Sequence, residues 1–424
     1  MRYEIRRRED GKKAIFDENG NRISEWFDGI SSSGLVSGES NLYIVKSSKG
    51  VAIFDVNGNM ITKDWYDDIS PDGLVSGQSN YYVAKKDGKM AIFDKDGNMI
   101  TPEWFDDVWE YGLVEGKSDY FIVWENGKCA IFDKDGKQIS QWFDNLYPSG
   151  LVWGESNYYE AKKGNRYAIF DKDGNMITKK WFYRVFSHGL VNGESNLYIA
   201  KGRGVAIFDV NGNRMSELFD EVYPDGLVEG KSNLYVARKD GKEAIFDRDG
   251  KRITDWYDEI RKYGLVKGES DYYVAEKDGK SAIFDKNGNM ISPEWFDAVW
   301  SAGLVRGESP YYIAKKKGKY AIFDVYGNQI SDWYDEISSD GLVEGESNYY
   351  IACNNKKCAV YFKYGQKVSE DFSREEIKGA KRITFNETLG IVEIEKYNST
   401  TTIDFNPVYP FKEEIIDYTK LLNI

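Results

Sequence analysis

One block of residues is written into this chain nine times. Ala-Ile-Phe-Asp-x-x-Gly, followed by Trp-Phe/Tyr-Asp, places its Phe at positions 16, 54, 93, 132, 170, 208, 246, 284 and 323, in steps of 38 or 39 residues. A period of this size marks an array of supersecondary units that bury their apolar faces on one another. A division into globules of average size would cut between equivalent neighbours, so one array spans residues 1–365, with a degenerate tenth copy around Ala359–Gly365. Residues 366–424 lose the register and read as a small mixed cap, because an array needs an atypical end over its last face.

The third copy shows what one unit should form. Tyr81–Lys86 is aromatic and β-branched, and Asp87-Gly88 is a two-residue hairpin signal. Lys89–Asp94 gives a second strand, and Gly97 supplies the positive φ of the next turn. The expected third strand runs from Met99-Ile100-Thr101 to Trp104-Phe105, and Gly112-Leu113-Val114 is a connector or brief strand. Apolar residues recur at helical spacing nowhere before position 350, so the fold class is all-β: a tandem array of about ten three-stranded meanders. Such an array either stacks as an open superhelix, the favoured geometry, or closes as a many-bladed ring; ten units exceed the usual size of a closed propeller.

The second strand, with Ala91 and Phe93 on one face and Ile92 on the other, should be covered on both faces. The recurrent tryptophans, Trp26, Trp65, Trp104, Trp142, Trp181, Trp256, Trp295 and Trp333, are expected to wedge between adjacent units, and Leu218 in the sixth copy marks a weak joint. Lys85, Lys86 and Lys89 should lie near Asp106 and Asp107, forming a solvated charged edge.

Composition limits the function. The formal charge is −13, which disfavours nucleic acid as a partner. No apolar stretch is long enough for a transmembrane helix, and charged residues fill Met1–Asp10, so the expectation is a cytoplasmic protein, with export by a non-Sec route left open. Cys129, Cys353 and Cys358 read as free thiols in a reducing compartment.

No catalytic, metal or cofactor site emerges from the motifs. The Asp-x-Asp/Asn-Gly turns, such as Asp94–Asn98, put Gly fourth where a calcium loop of the EF type puts it sixth, and read as hairpin turns. The serines of the Gly-x-Ser connector, such as Ser156, outnumber the single histidine, His188, and read as turn or capping hydroxyls. Paired acids after each Trp read as rim charge. One slot varies: the residue following the Val, Ile or Leu downstream of Trp-Phe/Tyr-Asp is Trp109, Tyr147, Phe186, Tyr223 and Trp300 in five copies. Aromatic side chains on successive repeats offer a ladder for flat ligands; the alternative is padding of the joints.

Lys319-Tyr320-Ala321-Ile322-Phe323-Asp324, with Gly327-Asn328-Gln329-Ile330-Ser331 and Trp333-Tyr334-Asp335-Glu336-Ile337, closely resembles the bacterial WG-repeat (KWG-type) family. The likeness covers about residues 1–352. This chain departs from the family by carrying Ala where the family has Gly after the aromatic, as at Ala321, and it keeps the preceding aromatic at Tyr167 and Tyr320. The resemblance implies a β-repeat scaffold. A looser likeness to choline- and glucan-binding repeats motivates a glycan alternative. The expected function is a non-enzymatic scaffold that binds a protein partner through many weak sites; the alternative is a carbohydrate-binding factor at the bacterial cell envelope.

Overall fold

The computed structural model describes residues 2–408. They fall into two compact units: residues up to 219 together with 228–230, and residues 220–227 together with 231 onwards. Both are built from the same repeat. The fold is all-β, and each sheet is a small open antiparallel meander. No helix among the described residues is long and apolar enough to cross a membrane.

The hairpin forms where its residues foretell it. Tyr81–Lys86 pairs with Lys89–Asp94 in strict register, Tyr82 opposite Phe93 and Ala84 opposite Ala91. The turn residues Asp87 and Gly88 have φ of 52° and 81°, the left-handed pair that a two-residue turn needs to match the twist of its strands. Ala91, Ile92 and Phe93 are all buried, so the second strand is covered on both faces.

The third strand lies elsewhere than the sequence suggests. In the fourth copy's sheet it is Asp107–Trp109, which pairs with the hairpin strand Tyr120–Glu125, setting Val108 opposite Val123. The segment expected to be the third strand touches the opposite edge only as single bridges, Phe93 to Met99 and Met90 to Phe105. A hydroxyl sits at this break in several copies, while Thr62, Thr101 and Thr178 mark the same break with hydroxyls that have no partner among the described residues. Ser140 Oγ accepts the N–H of Ile131 at 2.8 Å, occupying the donor that a continuous strand would use, and Ser24, Ser216, Thr254, Ser292 and Ser331 do the same in their copies.

Adjacent repeats are stitched by the connector. Ser118 Oγ donates to the carbonyl of Val152 at 2.7 Å and accepts the N–H of Tyr120, and Ser40, Ser156, Ser270 and Ser309 repeat the pattern onto Val75, Val191, Val305 and Val343. Gly150 presses the backbone of its own copy against the next: a Cβ there would lie 2.3 Å from the Tyr158 oxygen and 2.6 Å from the Val191 oxygen. In most copies the Asp after the Trp-aromatic pair closes the following hairpin. Asp106 Oδ2 accepts the N–H of Asn126 and Asp258 Oδ2 that of Asp278, both left-handed turn residues. Ion pairs also form at this edge, Lys89 to Asp106 and Lys319 to Asp335, each at 3.4 Å.

The tail occupies the place of a further repeat. Strands Arg382–Asn386, Ile391–Glu395 and Thr400–Asp404 form a meander whose Ile383, Val392, Ile394 and Phe405 pack with Tyr349 and Ile351 of the tenth copy. Ser347 donates to Glu387 in place of a valine carbonyl, and the Phe385 ring lies against Gly341. Ser373 caps a single helical turn, Arg374–Ile377, as its sequence suggests. Glu413–Tyr418, whose sequence suggests a terminal helix, lies outside the described residues. The cysteines correct the sequence reading: Cys353 and Cys358 sit directly opposite one another across the tenth hairpin and are joined in a disulfide. Five residues of separation across a tight turn bring the two Cβ atoms together, which counting cysteines does not reveal. Cys129 is the free, buried thiol.

Candidate functional site

The variable aromatic slot falls at the end of the short edge strand, inside it at Trp109 and Phe186 and just past it at Tyr147, Tyr223 and Trp300, beside the hairpin of the following copy. Each ring is therefore engaged by its own sheet. Trp109 packs on Trp124 at 5.8 Å, Tyr147 on Tyr167 at 6.5 Å, and Trp300 edge-on against Tyr320 at 5.2 Å. Phe186 lies under the Arg184 guanidinium at 4.3 Å, and Tyr223 lies under Lys262 at 3.8 Å while its hydroxyl donates to Glu243. Trp300 is 36% exposed and the other four are half-buried. Among the described residues no ring contact joins one of these five directly to the next, so they are separate aromatic stations on successive edges.

At one station the aromatic surface spreads. Trp109 meets Tyr111 edge-on at 6.1 Å, and Tyr111 meets Trp153 of the next connector at 6.3 Å. Tyr111 is 44% and Trp153 38% exposed. Glu110, between Trp109 and Tyr111 in sequence, has Asp72 and Glu115 near it, and Glu115 pairs with Lys117 at 2.7 Å. Burial raises the Glu110 carboxyl above its ordinary value, a hydrogen bond with Ser70 opposes the shift, and Asp72 and Glu115 reinforce it. Exposed ring faces with carboxylates beside them suit cationic or flat groups. The protein already uses such pairing at the equivalent place in the other unit, where Lys267 and Arg306 sit over Tyr263 at 4.8 and 5.0 Å.

The eight tryptophans are half-buried at a rim. Trp104 lies 5.7 Å from Phe93 of its own copy and 6.1 Å from Tyr66 of the preceding one, and Trp142, Trp181, Trp295 and Trp333 bridge copies in the same way. Trp65 rests on Phe54, Trp256 on Phe246, and Trp26 on Phe16 with Arg8 stacked over it. The fully buried inter-repeat ring is the residue after the Trp: Phe105 and Phe143 lie against Phe132 and Phe170 at 5.6 and 5.1 Å.

The remaining polar motifs are structural in their geometry. Asp94 accepts the N–H groups of Asp96 and Asn98 on one oxygen and the Asn98 amide on the other, which closes the Asp-x-x-Gly turn. Two buried carboxylates escape sequence reasoning. Glu160 stands where the other hairpins carry Val or Ile, bonded to Ser187, and burial pushes it up to about 7 against that bond's pull. Glu243 is fully buried yet held below its ordinary value: desolvation raises it, and the Ile260 N–H, Tyr223 hydroxyl, Lys262 and Arg238 overcome that. The available signal was departure from the repeat, since Glu160 breaks an otherwise aliphatic position, Trp153 an otherwise polar one, and Tyr111 a position that is aromatic again only at Tyr263.

The fold and these stations define a class, a tandem β-meander repeat protein. No protein-family model matches the chain, and no curated protein matches it in sequence. Among solved structures it is similar to a eukaryotic initiation factor (14% identity, covering 78% of this chain and 95% of that one, TM-score 0.29). It is also similar to BamB from Moraxella catarrhalis (15%, 70% and 88%, TM-score 0.22) and Hsv2 of Kluyveromyces lactis (10%, 78% and 97%, TM-score 0.20).

Proposed function

We propose that the chain is a non-enzymatic binding scaffold whose aromatic stations engage a protein partner, with the Trp109–Tyr111–Trp153 patch as the principal contact. The observation that carries this is the joining of three partly exposed rings from two successive copies, with the Glu110 carboxyl and its neighbours Asp72 and Glu115 nearby. Lys and Arg side chains of a partner would stack on the rings and pair with the carboxylates. Repetition adds avidity to weak single contacts. Engagement of the connector serines by valine carbonyls supports a non-catalytic reading, and the negative net charge supports a partner other than nucleic acid.

Membership of the WG-repeat family, for which the residues at Lys319–Ile337 speak, and a cytosolic location are both part of this proposal. The Cys353–Cys358 disulfide pulls towards an oxidising compartment, and cell fractionation decides between them. A second reading takes the same ring faces as platforms for sugars, favoured by the exposure of Tyr111 and Trp153. Affinity capture and a glycan array, each with the parent and with a Tyr111→Ala/Trp153→Ala variant, separate the two. A polypeptide retained by the parent and lost by the variant supports the protein partner, selective glycan retention supports the alternative, and identical capture by both proteins overturns the patch.

A further inference from the structure

The fifth and sixth copies depart from the repeat at four places, three of which line one pocket. Leu218 replaces the recurrent tryptophan, and the hairpin between Lys201 and Val205 is one residue shorter than its counterparts, reduced to Gly202-Arg203-Gly204. Lys180 stands in the position before the fifth copy's Trp, where the other copies carry Asp, Glu or Gln. Tyr183 replaces the Asp that closes the following hairpin elsewhere.

What remains is a bed without its ring. In the fifth copy Trp181 lies 5.9 Å from Phe170 and 6.0 Å from Phe143. The equivalent pair in the sixth, Phe182 and Phe208, keeps its spacing at 5.5 Å, but Leu218 leaves the indole position open and is itself 47% exposed. The pocket measures about 700 Å³, against about 440 Å³ at the counterpart that Trp104 closes. Its charge is one-sided. Lys180, Arg203 and Arg214 line it, and among the described residues none of the three has a carboxylate partner, whereas the counterpart pairs Lys86 with Asp64 at 2.5 Å. At the equivalent of Arg214 in the seventh copy, Arg252 lies over the Trp256 indole at 5.7 Å.

We propose that this pocket binds a small aromatic carboxylate, its ring seated on Phe182 and Phe208 in the place of the missing indole and its anion held by Arg203, Arg214 and Lys180. The ring burial supplies apolar contact, and guanidinium groups grip a carboxylate through paired, charge-assisted hydrogen bonds.

Calorimetric titration of the full chain with indole-3-propionate tests this. Saturable binding at one site is expected, about tenfold tighter than for the neutral indole-3-propionamide, as loss of one charge-assisted contact would give. Leu218→Trp fills the pocket and should abolish binding, and Arg203→Glu, on the exposed turn, should weaken it about tenfold with an unchanged circular dichroism spectrum. Absence of binding to the parent, equal affinity for the amide, or undiminished binding by Leu218→Trp would each overturn the proposal. Trp153→Ala should leave this binding intact, which separates the pocket from the aromatic patch.

Discussion

The hydroxyl of Ser118 donates to the carbonyl of Val152, 34 residues further on and 2.7 Å away. It is one stitch of a line that runs from copy to copy within each unit. Ser118→Ala leaves the Val152 oxygen without its donor, and should cost about 1–3 kcal/mol. Denaturant unfolding of the two proteins measures it, and an unchanged midpoint would deny the stitch an energetic role.

Gly150 combines a φ of 79° with two backbone oxygens closer than any Cβ tolerates, whereas Gly20 has a φ of 84° and open space around it. Gly20→Ala should therefore cost about 1 kcal/mol, from the left-handed backbone alone. Gly150→Ala adds a collision between copies and should lose on the order of 3 kcal/mol or more. Equal losses in thermal unfolding would show that backbone strain, not close approach, explains both.

The buried hydroxyls of Tyr159, Tyr198 and Tyr312 have no hydrogen-bond partner among the described residues, while their rings stack on Phe170, Phe208 and Phe323 at 5.4–5.5 Å. Burial raises their pKa values above the ordinary range for tyrosine. Tyr159→Phe and Tyr312→Phe keep the stack and drop the desolvated oxygen. Stability should stay level or rise by up to about 1 kcal/mol, and a clear loss of Tm would reveal a partner for the hydroxyl in solution.

Glu160 titrates near 7 in the folded chain because burial disfavours its charge, against 4.5 in a free side chain. Folding therefore takes up a proton between these values. The stabilising protonated state is fully present below about 4.5 and is lost as pH rises through about 7, a swing on the order of 3 kcal/mol. Glu160→Gln should flatten that part of the stability profile and raise Tm at pH 8; an identical slope in the variant would remove Glu160 as its source.

Much of the repeat was legible from spacing. The hairpin at Asp87-Gly88, the doubly covered strand around Ile92 and the start of the short helix at Ser373 all follow from local signals, because turn chemistry and the two-residue period act over a few neighbouring residues. The third strand was misplaced because no local pattern displays which edge will be paired: Met99 and Phe105 touch the hairpin only as single bridges, and Asp107–Trp109 completes the next sheet from the other side. The aromatic patch was half visible. Trp109 stood out in its slot, but Tyr111 and Trp153 matter because two connectors converge, and the sequence separates those residues by a full copy.

What the residues determined unaided was the object: a β-hairpin copied at a fixed interval, each copy too thin to stand alone. Only the tertiary structure decided how copies are joined. Stacking energy from rings is insensitive to small shifts, whereas the glycine contacts and the serine–carbonyl bonds fix a single spacing. Both depend on atoms more than thirty residues apart that the chain brings within a few ångströms only once it has folded.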